Sequence, residues 1–310
     1  MILLAGSVAA AESGEGGYAG AFLKLSIAPR AAAMGGAYLG LSDDAAGQLY
    51  NPAGITAVGK KVFSSSYRSM DFGRKLGYVS FMLPTRMESA LGISWHYAGY
   101  GEVATRNSSG QDLGTTISSN EHVFGLVFAK QFTPLLGAGA KLNYYLKKLS
   151  DLDASSVGIN LGVMFSIDSL FEYGSMEEKK INDIKAGIVI DNLAARYTWN
   201  AAESGLRAAP DDEFPVVIGL GVSFRSFDRQ LLVAADFEKI VDRFGYFRVG
   251  AEYVIMNVLA LRAGMDDGVL TAGMGYRLNL GQAKLSFDYA FSDSRVGESS
   301  DHIFGLHYNF

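Results

Sequence analysis

Three charged residues near the start of the chain, Arg30, Asp43 and Asp44, are the side chains whose types could form a defined site. Apolar and small residues surround them, so burial of this segment would require a partner for each charge, because an unpaired buried charge is costly. Candidate partners occur later, on the polar side of alternating segments: Arg248, Glu252, Arg262 and Arg277. The chemistry predicted for this set is ion pairing that holds the segment in place. The alternative is that the first three are solvated turn residues.

Catalytic and metal-binding patterns are weak in this sequence. No Gly-x-Ser-x-Gly turn occurs, so an activated serine of that type is not expected. Ser94 and His96 would share one face of a strand, but no acidic residue that could orient the histidine is evident. The four histidines lack the spacing of a helical metal site: His96, His122, His302 and His307. We therefore expect no enzyme, no cofactor and no bound metal.

The composition is that of a folded chain rich in glycine and aromatic residues. Of the 310 residues, 49% are apolar and 19% charged, with 37 Gly, 19 Phe and 16 Tyr, which favours many strands and tight turns. The formal net charge of −5 gives no reason to expect a nucleic-acid partner. The absence of cysteine excludes disulfides and thiolate metal sites. No run of about 18 apolar residues occurs, so a transmembrane helix is not expected.

The chain beyond residue 60 alternates between strands and turns. About fourteen strands of about ten residues are predicted, a length that crosses a bilayer at a tilt. They begin near Val62, Leu76, Ala90, His122, Leu136, Val157, Ile184, Val216, Leu231, Phe247, Leu259, Leu270, Ala283 and His302. Short links alternate with longer loops predicted at 105–119, 168–182 and 198–213, an arrangement typical of a barrel with short turns at one end.

Alternation of residue type along these strands is the strongest indication of their environment. In the segment 283–291, Phe287 and Tyr289 face one side, whereas Ser286 and Asp288 face the other. One face is mostly large and apolar, and the opposite face holds glycine and charges of both signs. A soluble β-sandwich also alternates, but its strands usually have about five or six residues and its solvent face needs no paired charges. The sequence therefore predicts an all-β fold, a transmembrane antiparallel β-barrel of about 14 strands.

Residues 20–60 break the strand pattern. Ser42 is a plausible N-cap for a short helix over 43–50, and Pro52 would end that helix. The segment is too apolar for a flexible tail, and the barrel is the only large surface against which it could be buried. We expect a partly helical hatch at 12–60, lying in the lumen of a barrel formed by 61–310.

The two ends of the chain carry candidate export and insertion signals. The apolar run at 1–11 is interpreted as a truncated signal peptide, because small residues follow it but no basic residue precedes it. The final alternating strand ends on an aromatic residue and is similar to the insertion signal of bacterial outer-membrane β-barrels, here Gly305, Tyr308 and Phe310. These features predict the outer membrane of a Gram-negative-type bacterium, with membrane lipid and the barrel-assembly machinery as partners. An ordinary soluble strand that ends in Phe is the alternative.

The N-terminal segment also allows a family comparison. The run at 22–55 reads FLKLSIAPRAAAMGGAYLGLSDDAAGQLYNPAGI. Its ordered elements are Phe22-Leu23, Arg30, Met34-Gly35-Gly36-Ala37, Asp43-Asp44 and Asn51-Pro52-Ala53-Gly54. Together with the C-terminal strands LALRAGM and LTAGMGYRL, this set resembles the PorV/PorQ-like family, within the superfamily of the long-chain fatty-acid transporter FadL. The resemblance covers essentially the whole chain and implies an outer-membrane barrel of about 14 strands with an N-terminal hatch.

The predicted third strand contains a second candidate site. Gly99 and Gly101 flank Tyr100, and paired glycines can mark a bulge or bend in a strand. In the FadL-like superfamily a disruption here forms a lateral exit, which the resemblance implies for these three residues. The alternative is a regular strand in which Trp95 and Tyr97 belong to an aromatic girdle.

Two functions from different classes follow from the resemblance. FadL-like members take up hydrophobic molecules, whereas PorV-like members shuttle secreted proteins in type IX secretion. The first function predicts an apolar pocket between the hatch and the loops, and the second predicts a sealed lumen and a stable complex with secreted proteins. The apolar, glycine-rich hatch and the short polar loops favour transport of small hydrophobic molecules. Binding or shuttling of secreted proteins, in type IX secretion or surface attachment, is the alternative.

Overall fold

The structure, a computed structural model, describes residues 18–167, 181–200, 212–241, 245–293 and 299–310. The predicted signal peptide at 1–11 lies outside these ranges, as do most of the loops predicted at 168–182 and 198–213. Within the described ranges, no helix has the length and apolar character needed to cross a membrane.

Strands make up most of the chain after residue 61. They are β1 (Val62–Ser69), β2 (Lys75–Thr85), β3 (Ser89–Arg106), β4 (Asp112–Gln131), β5 (Leu136–Leu149), β6 (Leu152–Ser166), β7 (Ile181–Leu193), β8 (Arg196–Trp199), β9 (Asp212–Glu213), β10 (Val217–Ser226), β11 (Leu231–Ile240), β12 (Gly245–Ile255), β13 (Leu259–Asp266), β14 (Val269–Leu280), β15 (Ala283–Ser292) and β16 (Asp301–Asn309). Before them come the short helix α1 (Pro29–Ala33) and 3-10 helices at Ala21–Lys24, Ala45–Leu49 and Pro52–Ala57.

Fourteen of these strands form one closed antiparallel ring. Neighbours in sequence pair with each other, and β7 pairs with β10 across the two short strands β8 and β9. The ring closes where β1 pairs with β16, from Val62 opposite Asn309 to Ser69 opposite His302. Closure leaves no open sheet edge around the ring. The predicted all-β antiparallel barrel of about 14 strands is confirmed.

The loop predicted at 105–119 is wrong, because most of it is strand. β3 extends to Arg106 and β4 begins at Asp112, so the two strands continue as a long hairpin. Its turn is built on Asn107, whose Oδ1 accepts hydrogen bonds from the backbone N–H groups of Ser109 and Gln111. The polar composition suggested a loop, but threonine and other β-branched residues in the segment favour extended backbone.

The two faces of the barrel wall differ in the way that the alternation predicts. On β15, Phe287 on the exterior is 47% exposed, whereas Asp288 on the lumen side is 7% exposed. Large apolar side chains cover the exterior, among them Ile93, Phe124, Leu126, Phe128, Leu220, Phe247, Leu270 and Phe304. So much exposed apolar surface around a barrel is expected of a protein that spans a bilayer.

Residues 18–58 occupy the inside of the ring. Helix α1 contacts β13, β14, β15 and β16, whereas the 3-10 helix Pro52–Ala57 contacts β3, β4, β5 and β6 on the other side. A buried segment that contacts both sides of a ring lies within it. Glycine allows the close approach, because a Cβ at Gly250 or Gly264 would collide with the backbone of Met34.

The helix predicted over 43–50 with Ser42 as its cap is shorter and begins later. The structure has a 3-10 helix at Ala45–Leu49, and Asp44 caps it by accepting hydrogen bonds from the backbone N–H groups of Ala46 and Gly47. The Ser42 hydroxyl donates instead to the carbonyl oxygen of Tyr38 at 2.8 Å. Ser42 is therefore engaged in the preceding turn and is not available as a cap.

Candidate functional site in the barrel lumen

Glu252 lies at the centre of a buried charge cluster. Its carboxylate accepts two hydrogen bonds from Arg30, at 2.9 Å and 3.0 Å, and one from Nε of Arg262 at 2.7 Å. Arg262 continues to Asp288, with 2.6 Å between Nη1 and Oδ1. Arg277 lies farther out, since its Nη2 is 3.6 Å from Glu252 and its side chain is 32% exposed. The Glu252 side chain is 0% exposed, so little water competes for these interactions.

Arg30 connects this cluster to the acidic pair of its own segment. Its Nη1 lies 2.6 Å from Oδ1 of Asp43 and 3.3 Å from Oδ2 of Asp44, and donates to the Tyr38 hydroxyl at 2.8 Å. Burial opposes the charged guanidinium, but Asp43 and Glu252 together hold the pKa of Arg30 well above its ordinary value. The N-terminal segment is therefore joined to the barrel wall by charged hydrogen bonds that persist at neutral pH.

Arg225 on β10 is a partner of Asp43 that the sequence interpretation missed. Its Nη2 lies 2.8 Å from Oδ2 of Asp43. Burial would raise the pKa of Asp43, but Arg30 and Arg225 hold it below its ordinary value. The signal was present, because alternation along β10 places Arg225 on the same side as the buried residues Gly221 and Ser223.

Arg248 belongs to a second lumen cluster and has no contact with the acidic pair. Its Nε donates to Asp266 Oδ1 at 2.9 Å, and its guanidinium forms an ion pair with Glu238. It also donates to the carbonyl oxygen of Lys24 at 3.4 Å. Arg248 therefore holds an earlier part of the N-terminal segment than Arg30 does.

Asn51 and Pro52 fix the far end of the segment. Asn51 Nδ2 donates to the carbonyl oxygens of Leu39, at 3.0 Å, and of Val163 on β6, at 3.1 Å. Asn51 Oδ1 accepts the backbone N–H of Ala53 at 3.0 Å and so caps the 3-10 helix that Pro52 begins. One amide side chain thus joins two parts of the segment to the barrel wall.

Strand β3 is irregular at the predicted exit. Its pairing with β2 ends at Gly99, and its register against β4 shifts between Gly99 and Glu102. Gly101 has φ of 71°, and a Cβ there would lie 2.6 Å from the carbonyl oxygen of Phe72. The paired glycines therefore mark a bulge in the barrel wall.

Glu121 links this bulge to the short strand β8. It accepts hydrogen bonds from the hydroxyls of Tyr100, at 2.9 Å, and Tyr197, at 2.7 Å. Tyr197 lies on β8, one of the short strands outside the ring, and is fully buried. The sequence interpretation missed Glu121, because its strand was predicted to begin at His122.

Two cavities lie between the N-terminal segment and the wall, at the end of the barrel opposite to the start of β1. One has a volume of about 260 Å³ and a mainly apolar surface, with Phe22, Leu25, Leu76, Ala98 and Tyr100 in its lining. Four charged residues also line it: Lys24, Arg74, Arg248 and Asp266. It adjoins the bulge through Gly99 and Tyr100. The other cavity, of about 100 Å³, is lined by polar residues of β3, β5, β6 and β7 and by apolar residues of the N-terminal segment, such as Ile27 and Leu49.

The residues assigned to the insertion signal lie on both faces of β16. Tyr308 and Phe310 are on the exterior, where their rings stack with centroids 5.2 Å apart. Gly305 faces the lumen, where a Cβ would lie 2.6 Å from Pro29 Cγ. The backbone N–H of Phe310 donates to Lys61 at 3.0 Å, so pairing with the first strand continues to the last residue of the sequence.

The histidines are dispersed over both faces of the wall. His96 faces the lumen, and His307 there contacts Ser64 at 2.8 Å. His122 and His302 lie on the exterior against the aromatic residues Trp95 and Tyr289. In the part of the chain that the structure describes, no group of three or more acidic or histidine side chains could hold a metal ion.

Comparison with solved structures identifies proteins of the same fold. The toluene transporter TbuX of Ralstonia pickettii matches with a TM-score of 0.66 and 15% identity, over 93% of this chain and 100% of its own. The toluene transporter TodX of Pseudomonas putida matches with a TM-score of 0.63 and 15% identity, over 90% and 96%. A FadL homologue of Pseudomonas aeruginosa matches with a TM-score of 0.57 and 12% identity, over 91% and 97%. No protein-family model and no curated protein matches the sequence.

These matches show that the chain shares the fold of FadL-type hydrocarbon transporters, whereas a specific relation to the PorV/PorQ-like family is not shown. A closed antiparallel barrel of fourteen strands with an apolar exterior is an outer-membrane architecture. The chain is an outer-membrane β-barrel of a Gram-negative-type bacterium.

Proposed function

We propose that this barrel carries small hydrophobic molecules across the outer membrane, past an N-terminal hatch formed by residues 12–60. The observation that carries the proposal is the apolar cavity of about 260 Å³ between the N-terminal segment and the wall. Such a cavity, with a mainly apolar surface and four charged side chains in its lining, suits a small hydrophobic ligand. The shared fold with two toluene transporters supports this function. Membrane lipid around the barrel and the machinery that inserts it are the expected partners.

The proposed path begins at the cavity and leaves sideways through the wall. Gly99, Tyr100 and Gly101 form the bulge that adjoins the cavity, so a ligand held there is next to the least regular part of β3. A lateral exit at this point would release an apolar molecule into the bilayer without exposing it to water. The ion pairs of Arg30 keep the hatch in place while the ligand passes.

Filling the cavity tests whether it is used for transport. Ala98 is fully buried and lines the cavity, so Ala98→Trp should reduce uptake of toluene into barrel-containing lipid vesicles to a small fraction of the unmodified rate. Ile93 lies on the exterior of the same strand and is 57% exposed, which makes Ile93→Trp the matched control with unchanged uptake. Equal uptake by both variants would contradict the proposed route.

The lateral exit has its own test at Tyr100. Tyr100→Ala removes a side chain that lines the cavity at the bulge and should increase the rate at which a hydrophobic fluorescent probe reaches the bilayer severalfold. Ile93→Ala changes the exterior of the same strand away from the bulge and should leave the rate unaltered. If a quencher in the bilayer detects the probe no sooner in the Tyr100 variant, the exit does not lie here.

Purification in mild detergent distinguishes transport from the secretion alternative. Mass spectrometry should find small hydrophobic molecules retained by the folded barrel. A secreted protein that remained bound in a fixed ratio would instead support the alternative, which the fold comparisons do not support.

A further inference from the structure

The smaller cavity in the lumen has amide as well as charged side chains in its lining, and polar groups make up a larger share of its surface than in the other cavity. Lys141, Asn143, Asn160 and Asp191 face it from three consecutive strands of the ring, and His96 faces it from β3. Its volume is about 100 Å³. A transport path for pure hydrocarbons has no need of such a group of side chains.

One positive and one negative group in this cavity form no direct hydrogen bond or ion pair, although their opposite charges attract each other. Lys141 is 5% exposed, and no hydrogen bond or ion pair joins it to another residue in the described ranges. Asp191 Oδ1 is buried and likewise accepts no hydrogen bond there. The two residues lie on β5 and β7, which are separated by β6 alone, so their backbones are about 10 Å apart. Both side chains line the cavity of about 100 Å³.

The asparagine side chains near Lys141 and Asp191 form only some of the hydrogen bonds that they could form. Asn160 Oδ1 accepts from Asn143 Nδ2 at 3.2 Å and from the backbone N–H of Asn192 at 3.1 Å. Asn143 Oδ1 is buried and accepts no hydrogen bond. Both ring nitrogens of His96 are also buried without a hydrogen-bond partner. The asparagines are therefore held in place while an acceptor is left over beside the two charges.

A glycine on β4 makes the arrangement possible. At Gly125, a Cβ would lie 2.5 Å from Cε of Lys141 and 2.5 Å from Oγ of Ser94. The lysine side chain therefore lies across β4 where no other residue type would leave space for it.

We propose that this polar cavity binds the zwitterionic head of a small amphipathic molecule, one that carries an ammonium and a carboxylate on an otherwise apolar frame. The carboxylate would pair with Lys141, and the ammonium would pair with Asp191 and the free carbonyl of Asn143. The inference rests on the proposed function and narrows its substrate class, since the molecule would enter by the same lumen.

The adjoining, mainly apolar cavity offers space for the apolar part of such a molecule. The two cavities adjoin, with Tyr18, Lys24, Leu25, Tyr246 and Arg248 in the lining of both. A head held by Lys141 and Asp191 could therefore direct its apolar frame toward Phe22 and Leu25. A zwitterion forms a close ion pair with both charged groups, whereas an anion or a cation pairs with only one of them and a hydrocarbon with neither.

A matched series of four aromatic ligands tests this inference on the unmodified barrel in detergent. The ligands are phenylalanine, 3-phenylpropionate, 2-phenylethylamine and propylbenzene, which present a zwitterion, an anion, a cation and no charge. Calorimetric titration should give a dissociation constant for phenylalanine that is at least about tenfold lower than for the other three, because a site with buried polar groups rejects ligands that leave them unpaired.

Two substitutions then assign the charges. Lys141→Met should remove the preference for phenylalanine over 2-phenylethylamine, and Asp191→Asn should remove the preference over 3-phenylpropionate. Lys148→Met alters an exposed lysine on the same strand and should leave all four affinities unchanged. If either substitution prevents folding, the four-ligand comparison on the unmodified protein still decides the inference.

The outcomes separate this inference from the proposed function. Equal or stronger binding of propylbenzene, with toluene uptake still sensitive to Ala98→Trp, overturns the zwitterion site and leaves hydrocarbon transport standing; water then fills the polar cavity. Tight binding of phenylalanine without uptake of any ligand supports the site and contradicts transport.

Discussion

Replacement of Glu252 by alanine is expected to lower the free energy of unfolding of the barrel by about 3–5 kcal/mol. The carboxylate accepts hydrogen bonds from both Arg30 and Arg262, and its side chain is 0% exposed. Its removal leaves the buried guanidinium groups of Arg30 and Arg262 without their shared anion, so that each keeps only its pairing with the acids on the other side. Urea unfolding in lipid vesicles, followed by tryptophan fluorescence, measures the change.

An exposed ion pair elsewhere in the same protein provides the control. Glu213 lies 2.7 Å from Arg196, but the two side chains are 68% and 53% exposed. Glu213→Ala should therefore cost no more than about 1 kcal/mol. If Glu252→Ala has as small an effect as this control, the lumen cluster does not stabilise the fold.

Replacement of Arg30 by alanine is expected to release the N-terminal segment and so raise the conductance of the barrel severalfold. Arg30 joins Asp43 and Asp44 of its own segment to Glu252 of the wall. Without it, Asp43 retains Arg225, but the direct link from α1 to β12 is lost. The folded barrel should also lose resistance to heat, seen as a lower temperature of the mobility shift in gels.

A matched arginine controls for loss of charge alone. Arg229 is 65% exposed and lies 3.1 Å from Asp183, so Arg229→Ala should change neither conductance nor heat resistance appreciably. Single-channel recording in planar bilayers measures the conductance of both variants. An Arg30→Ala barrel with unaltered conductance and unaltered heat resistance would show that these ion pairs do not hold the segment.

The strands and the faces of the wall could be predicted because both depend on short-range pattern. Alternation with a period of two assigns Phe287 to the exterior and Asp288 to the lumen without knowledge of any partner strand. The same rule, applied to β10, would have placed Arg225 in the lumen. The error at 105–119 arose where polar, β-branched residues extend the hairpin beyond the apolar belt, so that alternation of polarity no longer marks the strand.

The residue types of the lumen charges were evident from the sequence, but their pairing was not. Arg248 and Glu252 both face the lumen from β12, and Arg262 does so from the neighbouring β13. Even so, Arg30 contacts Glu252 whereas Arg248 contacts Lys24. The choice depends on the path of the N-terminal segment through the lumen, and that path depends on close approaches such as Met34 to Gly250 and Gly264.

The fold class, the exterior and the presence of a buried charged segment are thus properties of local sequence, since each follows from alternation or from the cost of burying a charge. Only the closed ring determines where the cavities lie. It also determines which residues surround Lys141 and Asp191, and which hydroxyls Glu121 binds. Strand register and barrel closure bring together residues separated by tens to hundreds of positions, and no local pattern carries that information.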